Sequence, residues 1–126
     1  MANKEQMDLL KQGSQSWNAW RAAQTGAAVD LSGGALRGLD LEGADLSSAD
    51  LRDADLRGVN LRSANLTGAH LEGANLFKTI LNDADLHEAN LSGVRFLQCP
   101  QLESARNWQS TYRDQDLACG AAIPSR

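Results

Sequence analysis

Leucine recurs every five residues in this chain, at Leu31, Leu36, Leu41, Leu46, Leu51, Leu56, Leu61, Leu66, Leu71, Leu76, Leu81, Leu86 and Leu91, and Phe96 closes the series. Fourteen units run without a gap over residues 29–98. Two positions before each centre stands a small or medium residue, most often Ala, and the residue directly before the centre is Asp or Asn in ten of the fourteen units. The two residues after each centre are polar or Gly, apart from Phe77 and Leu97. On an α-helix a step of five rotates about 500°, so the leucines would spiral round every face. On a straight strand five is odd, and successive leucines would point to opposite sides. A chain that turns a corner every five residues uses the pattern fully. The centre and the residue two before it then point inward, and the intervening Asp or Asn points out. The two remaining residues make the corner, where Gly, Ser, Asp and Asn suit turn dihedrals.

The number of sides follows from the larger residues in the small-residue slot. Leu39, Val59 and Thr79 are spaced by twenty. Four sides of five residues stack them in one column, where mutual fit selects similar sizes, whereas a three-sided coil of fifteen would scatter them. The pattern predicts an all-β solenoid of about three and a half coils, roughly 17 Å tall at about 4.8 Å per coil.

The A(D/N)Lxx motif over residues 29–98 resembles the pentapeptide-repeat family. That resemblance implies a right-handed quadrilateral β-helix. The departures are local: Gly34 and Leu39 near the start, Thr79-Ile80 in the middle, and Val94-Arg95-Phe96 at the end. The segment LLKQGSQSWNAWR also resembles a leader found before the repeats in some bacterial members. The tail WQSTYRDQDLACGAAIP loosely resembles the ends of some members.

A solenoid has two apolar ends that must be covered. Residues 1–28 are expected to form an N-terminal helical cap, with Leu10, Trp17 and Trp20 near one face and Gly13 interrupting it. Residues 99–126 are expected to form the C-terminal cap, a helix after Pro100 with Leu102, Ala105, Trp108 and Tyr112 on one stripe. Trp17 and Trp20 would cover the first coil and Trp108 the last. With both ends covered, the expectation is a monomer or a weak dimer.

Composition excludes several function classes. The net charge is −4 and aromatic residues make up only 5% of the chain, which argues against direct nucleic-acid binding and for an interior of Leu and Ala. The start, MANKEQMDLLKQGSQSW, lacks the apolar core of a signal peptide, and no run reaches the length of a membrane span. The expected location is the cytoplasm, or the periplasm or a lumen if a leader has been removed. His70 and His87 lie on different sides without a Cys or carboxylate at familiar ligand spacing, so no metal site is expected. No nucleophile–base pair, phosphate-binding glycine loop or paired-carboxylate motif stands out. Neither catalytic residues nor a cofactor are expected.

Cys99 and Cys119 bracket the C-terminal segment. A disulfide there would close a loop and add about 3 kcal/mol. A reducing cytoplasm would leave two free thiols, and the expected location favours the thiols.

Unrolling the square places Arg37, Arg57, Phe77 and Leu97 in one column. Phe77, Ile80 and Leu97 fall at outward positions near the C-terminal end. They form either an exposed binding patch or the seat of the C-terminal helix under Trp108 or Tyr112, and the seat explains apolar residues where a cap must land. With Arg37 and Arg57 they are the candidate interaction surface. Eleven acids and six bases over residues 29–98 leave the repeat near −5. The leading function is a non-enzymatic scaffold or interaction module for an unknown protein partner. The alternative, which the resemblance implies, is an acidic DNA mimic that modulates DNA gyrase or topoisomerase. The predicted stack matches only about five base pairs at 3.4 Å each, which weighs against it. The uninterrupted five-residue register argues against a third reading, a hexapeptide-type acyltransferase.

Overall fold

The structure is a computed structural model and describes residues 1–119. Residues 120–126 of the expected C-terminal segment lie outside the described residues. Each unit of the repeat is a side and a corner. The centre carbonyl accepts the N–H three residues on, as in Gly34 to Leu31 (3.0 Å) and Ala54 to Leu51 (3.1 Å). Every fifth residue from Gly33 to Gly93 is left-handed, with φ between +57° and +75°. A positive φ confined to the third residue of a hydrogen-bonded turn is the type II pattern.

The sides pair through isolated parallel bridges between residues twenty apart: Asp30 with Asp50, Asp50 with His70, His70 with Asn90, and likewise in three further columns. The bonds alternate, Leu31 N–H donating to Asp50 O (2.8 Å) and Asp50 N–H to Val29 O (2.9 Å). The spacing is twenty residues, not fifteen. Every centre leucine from Leu31 to Leu91 is buried, with the alanines of the small-residue slot beside it. In the enlarged column Val59 and Thr79 are buried and Leu39 partly so. Thr79 satisfies its hydroxyl by donating to Leu56 O (2.6 Å).

Two helices precede the repeat: α1 over Lys4–Leu10 and α2 over Ser14–Ala23. The break falls at Gly13, whose φ of 109° only glycine adopts readily. Leu10 and Trp17 are fully buried in the same core as the leucines, and Trp20 packs beside Trp17 with ring centroids 5.1 Å apart. Gly34 departs from Ala because α1 lies over it. A Cβ there would stand 2.8 Å from Leu31 O and 2.9 Å from Met7 Sδ.

Polar side chains of both helices reach the backbone of the first sides. Gln6 accepts from Asp30 N–H (2.8 Å) and donates to Ala28 O (2.8 Å). Asn18 accepts from Asp45 N–H (2.7 Å), Trp17 Nε1–H donates to Asp45 O (2.7 Å), and Arg21 donates to Ser47 O (2.8 Å). In later sides, groups at the corresponding positions bond to the side twenty residues back, as Asn65 N–H does to Ala44 O. No such side precedes residue 45, and the α2 side chains take its place.

The C-terminal end departs from expectation in three ways. The helix expected after Pro100 is only α3, Cys99–Glu103, started by a reciprocal Gln98–Gln101 capping box and by Pro100 in its first turn. Beyond it the chain goes on pairing, Arg106 with Asp85 and Tyr112 with Asn90, at steps of 21 and 22 residues, with short 3₁₀ turns at Trp108–Ser110 and Gln115–Leu117. Leu102, Ala105, Thr111 and Leu117 turn inward from this looser layer. The sequence stripe therefore belongs to a segment of irregular period, not to one helix.

The second departure is at the fourteenth centre. Phe96 was expected inside and Leu97 outside, and the structure reverses them: Phe96 is 63% exposed and Leu97 only 8%. Phe96 itself takes the left-handed conformation (φ 63°), so its ring swings out and the following leucine fills the slot. The third departure is at the cysteines. Cys99 and Cys119, for which the sequence left a disulfide possible while favouring free thiols, are joined as a disulfide with Cα atoms 5.3 Å apart.

Candidate functional site

The outward positions are first of all structural. In all ten units with Asp or Asn before the centre, its side-chain oxygen accepts the backbone N–H two residues on, at 2.9–3.2 Å. This Asx bond fixes the turn from side to corner, so the abundant Asp and Asn are part of the architecture. Sequence reasoning placed these residues outside but did not find the bond that selects them.

Several of the carboxylates are engaged a second time. Arg57 lays its guanidinium on Asp55 through two bonds (2.8 and 2.7 Å), and Arg52 does the same to Asp50 (2.9 and 2.7 Å). The hydrogen bonds from Arg57 hold the Asp55 carboxyl down to about 2. Asp50 is lowered chiefly by Arg52, and Asp85 chiefly by the amide of Asn107 (2.8 Å).

The candidate surface residues are only partly brought together. Arg37, Arg57 and Phe77 stack in one column, with Gly38 N–H donating to Arg57 O and Gly58 N–H to Phe77 O, both at 2.9 Å. Leu97 leaves the surface for the core. Ile80 is half-buried on the next side, bridged to Asn60. Neither Trp108 nor Tyr112 lies on Phe77 among the described ring contacts. Trp108 is covered by the Arg113 guanidinium, 5.2 Å from its centroid, and Tyr112 is exposed. Phe77, 48% exposed, instead meets the ring of Phe96 edge to face at 6.0 Å, and Lys78 Nζ stands 5.4 Å from the Phe77 centroid.

Two open clefts flank this pair. One of about 220 Å³ is lined by Arg57, Asn75, Phe77 and Phe96. The other, of about 420 Å³, lies between the two rings, Lys78, Gln98 and Gln101. Phe96 is the site residue that sequence reasoning missed. Its signal was available in retrospect: Val94 stands in the small-residue slot and Pro100 starts a helix immediately beyond. Among the described residues no group of three His, Cys, Asp or Glu side chains is placed to hold a metal ion, and no helix is long and apolar enough to cross a membrane.

The family model for pentapeptide repeats matches eight copies, over residues 27–62 and 54–93, more than half of the chain. The chain belongs to the pentapeptide-repeat family. This pentapeptide-repeat protein is similar to HetL of the cyanobacterium Nostoc sp. strain PCC 7120, a relative involved in heterocyst differentiation regulation. The two share 31% identity over 71% of this chain, with a TM-score of 0.38, and the chain spans only 40% of HetL's length. A second pentapeptide repeat protein from Nostoc PCC 7120 is 29% identical over 81% of this chain and 88% of its own, with a TM-score of 0.38. A third, from the Arabidopsis thaliana thylakoid lumen, is 26% identical over 75% of this chain and 70% of its own, with a TM-score of 0.30. No curated protein matches the chain.

Proposed function

We propose that this pentapeptide-repeat protein is a non-enzymatic interaction module. Its frame is a right-handed quadrilateral β-helix over residues 29–98, capped by α1 and α2 at one end and by the segment after residue 98 at the other. It docks a partner protein through the face that carries Phe77 and Phe96. The carrying observation is the edge-to-face ring pair, exposed on a surface whose other outward positions are almost all polar. A contiguous exposed apolar patch rimmed by polar residues marks a site of interaction. The Cys99–Cys119 bond supports an oxidising compartment, a periplasm or lumen, over the cytoplasm.

A photo-crosslinking residue placed at Phe77, and in a control at Arg62 on a neighbouring side, tests this in cells that make the protein. One partner captured from position 77 and not from position 62 is the expected result. No adduct at 77, or equal capture at both, overturns it. The reading as an acidic gyrase modulator makes a different prediction. The protein would then alter supercoiling by gyrase in vitro irrespective of Phe77.

A further inference from the structure

The repeat is acidic as a whole, but its charge is sorted by side. The column that carries the ring pair comprises residues 34–38, 54–58, 74–78 and 94–98. It holds four bases, Arg37, Arg57, Lys78 and Arg95, against one acid, Asp55, a net of +3. Of the eleven acids and six bases over residues 29–98, the other three sides keep ten acids and two bases, a net of −8. The one acid of the basic side is already covered by Arg57. Arg37, Lys78 and Arg95 are exposed, and none forms an ion pair with a described carboxylate. The two aromatic rings and the smaller cleft lie within this basic side, and the larger cleft runs from it to Gln101 of α3.

Resting on the interaction reading above, we infer that this side binds an acidic polypeptide segment built around one apolar anchor residue. The anchor enters a cleft beside the Phe77–Phe96 pair. Its flanking carboxylates meet Arg37, Lys78 and Arg95, which gains specificity and encounter rate from complementary charge. The smaller cleft, at about 220 Å³, has room for a single apolar side chain beside the two rings. Single-stranded nucleic acid also seeks basic, aromatic surfaces, but it stacks successive bases on ring faces. The rings here are inclined at 75° and offer no such platform.

Fluorescence anisotropy with the full chain tests the inference. The probes are a fluorescein-labelled peptide EDEFEDE, its charge-reversed counterpart KRKFKRK, and labelled oligo-dT. EDEFEDE should bind, and more weakly as NaCl is raised. Its affinity should fall roughly tenfold or more in Phe96→Gly and in the double variant Arg37→Glu/Arg95→Glu. Phe96→Gly is a clean variant, because glycine relieves the left-handed φ while removing the ring, so its melting curve should stay near the parent's. Equal affinity for KRKFKRK, tighter binding of oligo-dT, no binding of EDEFEDE, or unchanged affinity in both variants would overturn the inference. A partner crosslinked at Phe77 while EDEFEDE fails to bind leaves the interaction module standing and rejects only the acidic segment.

Discussion

A single residue in this chain answers to a local rule before any global one. Asp55 accepts the Arg57 N–H (3.2 Å) that sets its turn, and its charge is a second use of the same side chain. The rule predicts that Asp55→Asn keeps the turn, because Asn60, Asn65, Asn75 and Asn90 make the same bond. Asp55→Ala loses it, at about 1 kcal/mol. Urea unfolding at neutral pH should rank the parent first, the Asn variant below it by the lost charge pairing with Arg57, and the Ala variant lowest. The charge shows in the acid range. The Asp55 carboxyl titrates at about 2 in the fold against 3.8 ordinarily, so its contribution is full above about pH 4 and is lost as pH falls toward 2. Asp30, Asp50 and Asp85 are lowered in the same direction. Stability should therefore fall through that window, and Asp55→Asn should flatten part of the slope. A parent whose urea midpoint does not change between pH 4 and pH 2 would contradict the pairing.

Elements here succeed or fail by what they offer an open backbone edge. Helix α2 is ten residues long and has no side-chain N-cap bond, so its own propensity does not explain its place. Its place comes from buried Trp17 and from the bonds of Trp17, Asn18 and Arg21 to the edge at residues 45–47. Trp17→Phe retains most of the packing but leaves Asp45 O without its donor, at about 1–3 kcal/mol. Trp17→Ala also opens a cavity and should cost about 3–5 kcal/mol. Chemical unfolding of both variants measures the two contributions. Equal midpoints for Trp17→Phe and the parent would remove the hydrogen bond from the account of how the helix is held.

At the scale of the whole molecule, the regular coil gives way to a looser final layer held by Arg106 and Tyr112 and tied back by the Cys99–Cys119 bond. The bond closes a loop of about twenty residues over the last side, where the chain-entropy model assigns it about 3 kcal/mol. A dithiol reductant, or Cys99→Ser, should lower the unfolding midpoint by that order. Hydrogen exchange should rise first at Leu86 and Leu91, whose N–H groups donate to Arg106 O and Tyr112 O (3.0 and 2.7 Å). Uniform exchange along the repeat would mean that the last layer does not open on its own. The same stacking sorts charge. Residues twenty apart become neighbours, so a chain with net charge −4 presents one side of net +3.

The sequence by itself determined everything that one five-residue unit can specify: the period, the inward leucine and alanine, the outward Asp or Asn, and the positions of the corners. Each of these is satisfied within a few residues, so repetition makes it legible. The column of Leu39, Val59 and Thr79 extended that legibility to the spacing of twenty. Tertiary structure alone decided what depends on contacts between coils or at their ends. It put Leu97 inside and Phe96 out, because the left-handed backbone at Phe96 turns its ring away from the core. It shortened the C-terminal helix to five residues, because pairing to residues 85 and 90 satisfies the following backbone better than a continued helix. It brought Cys99 to Cys119, and it gave Gly34 its reason in Met7. None of these contacts is periodic, and a pattern of fives carries no information about where the pattern must stop.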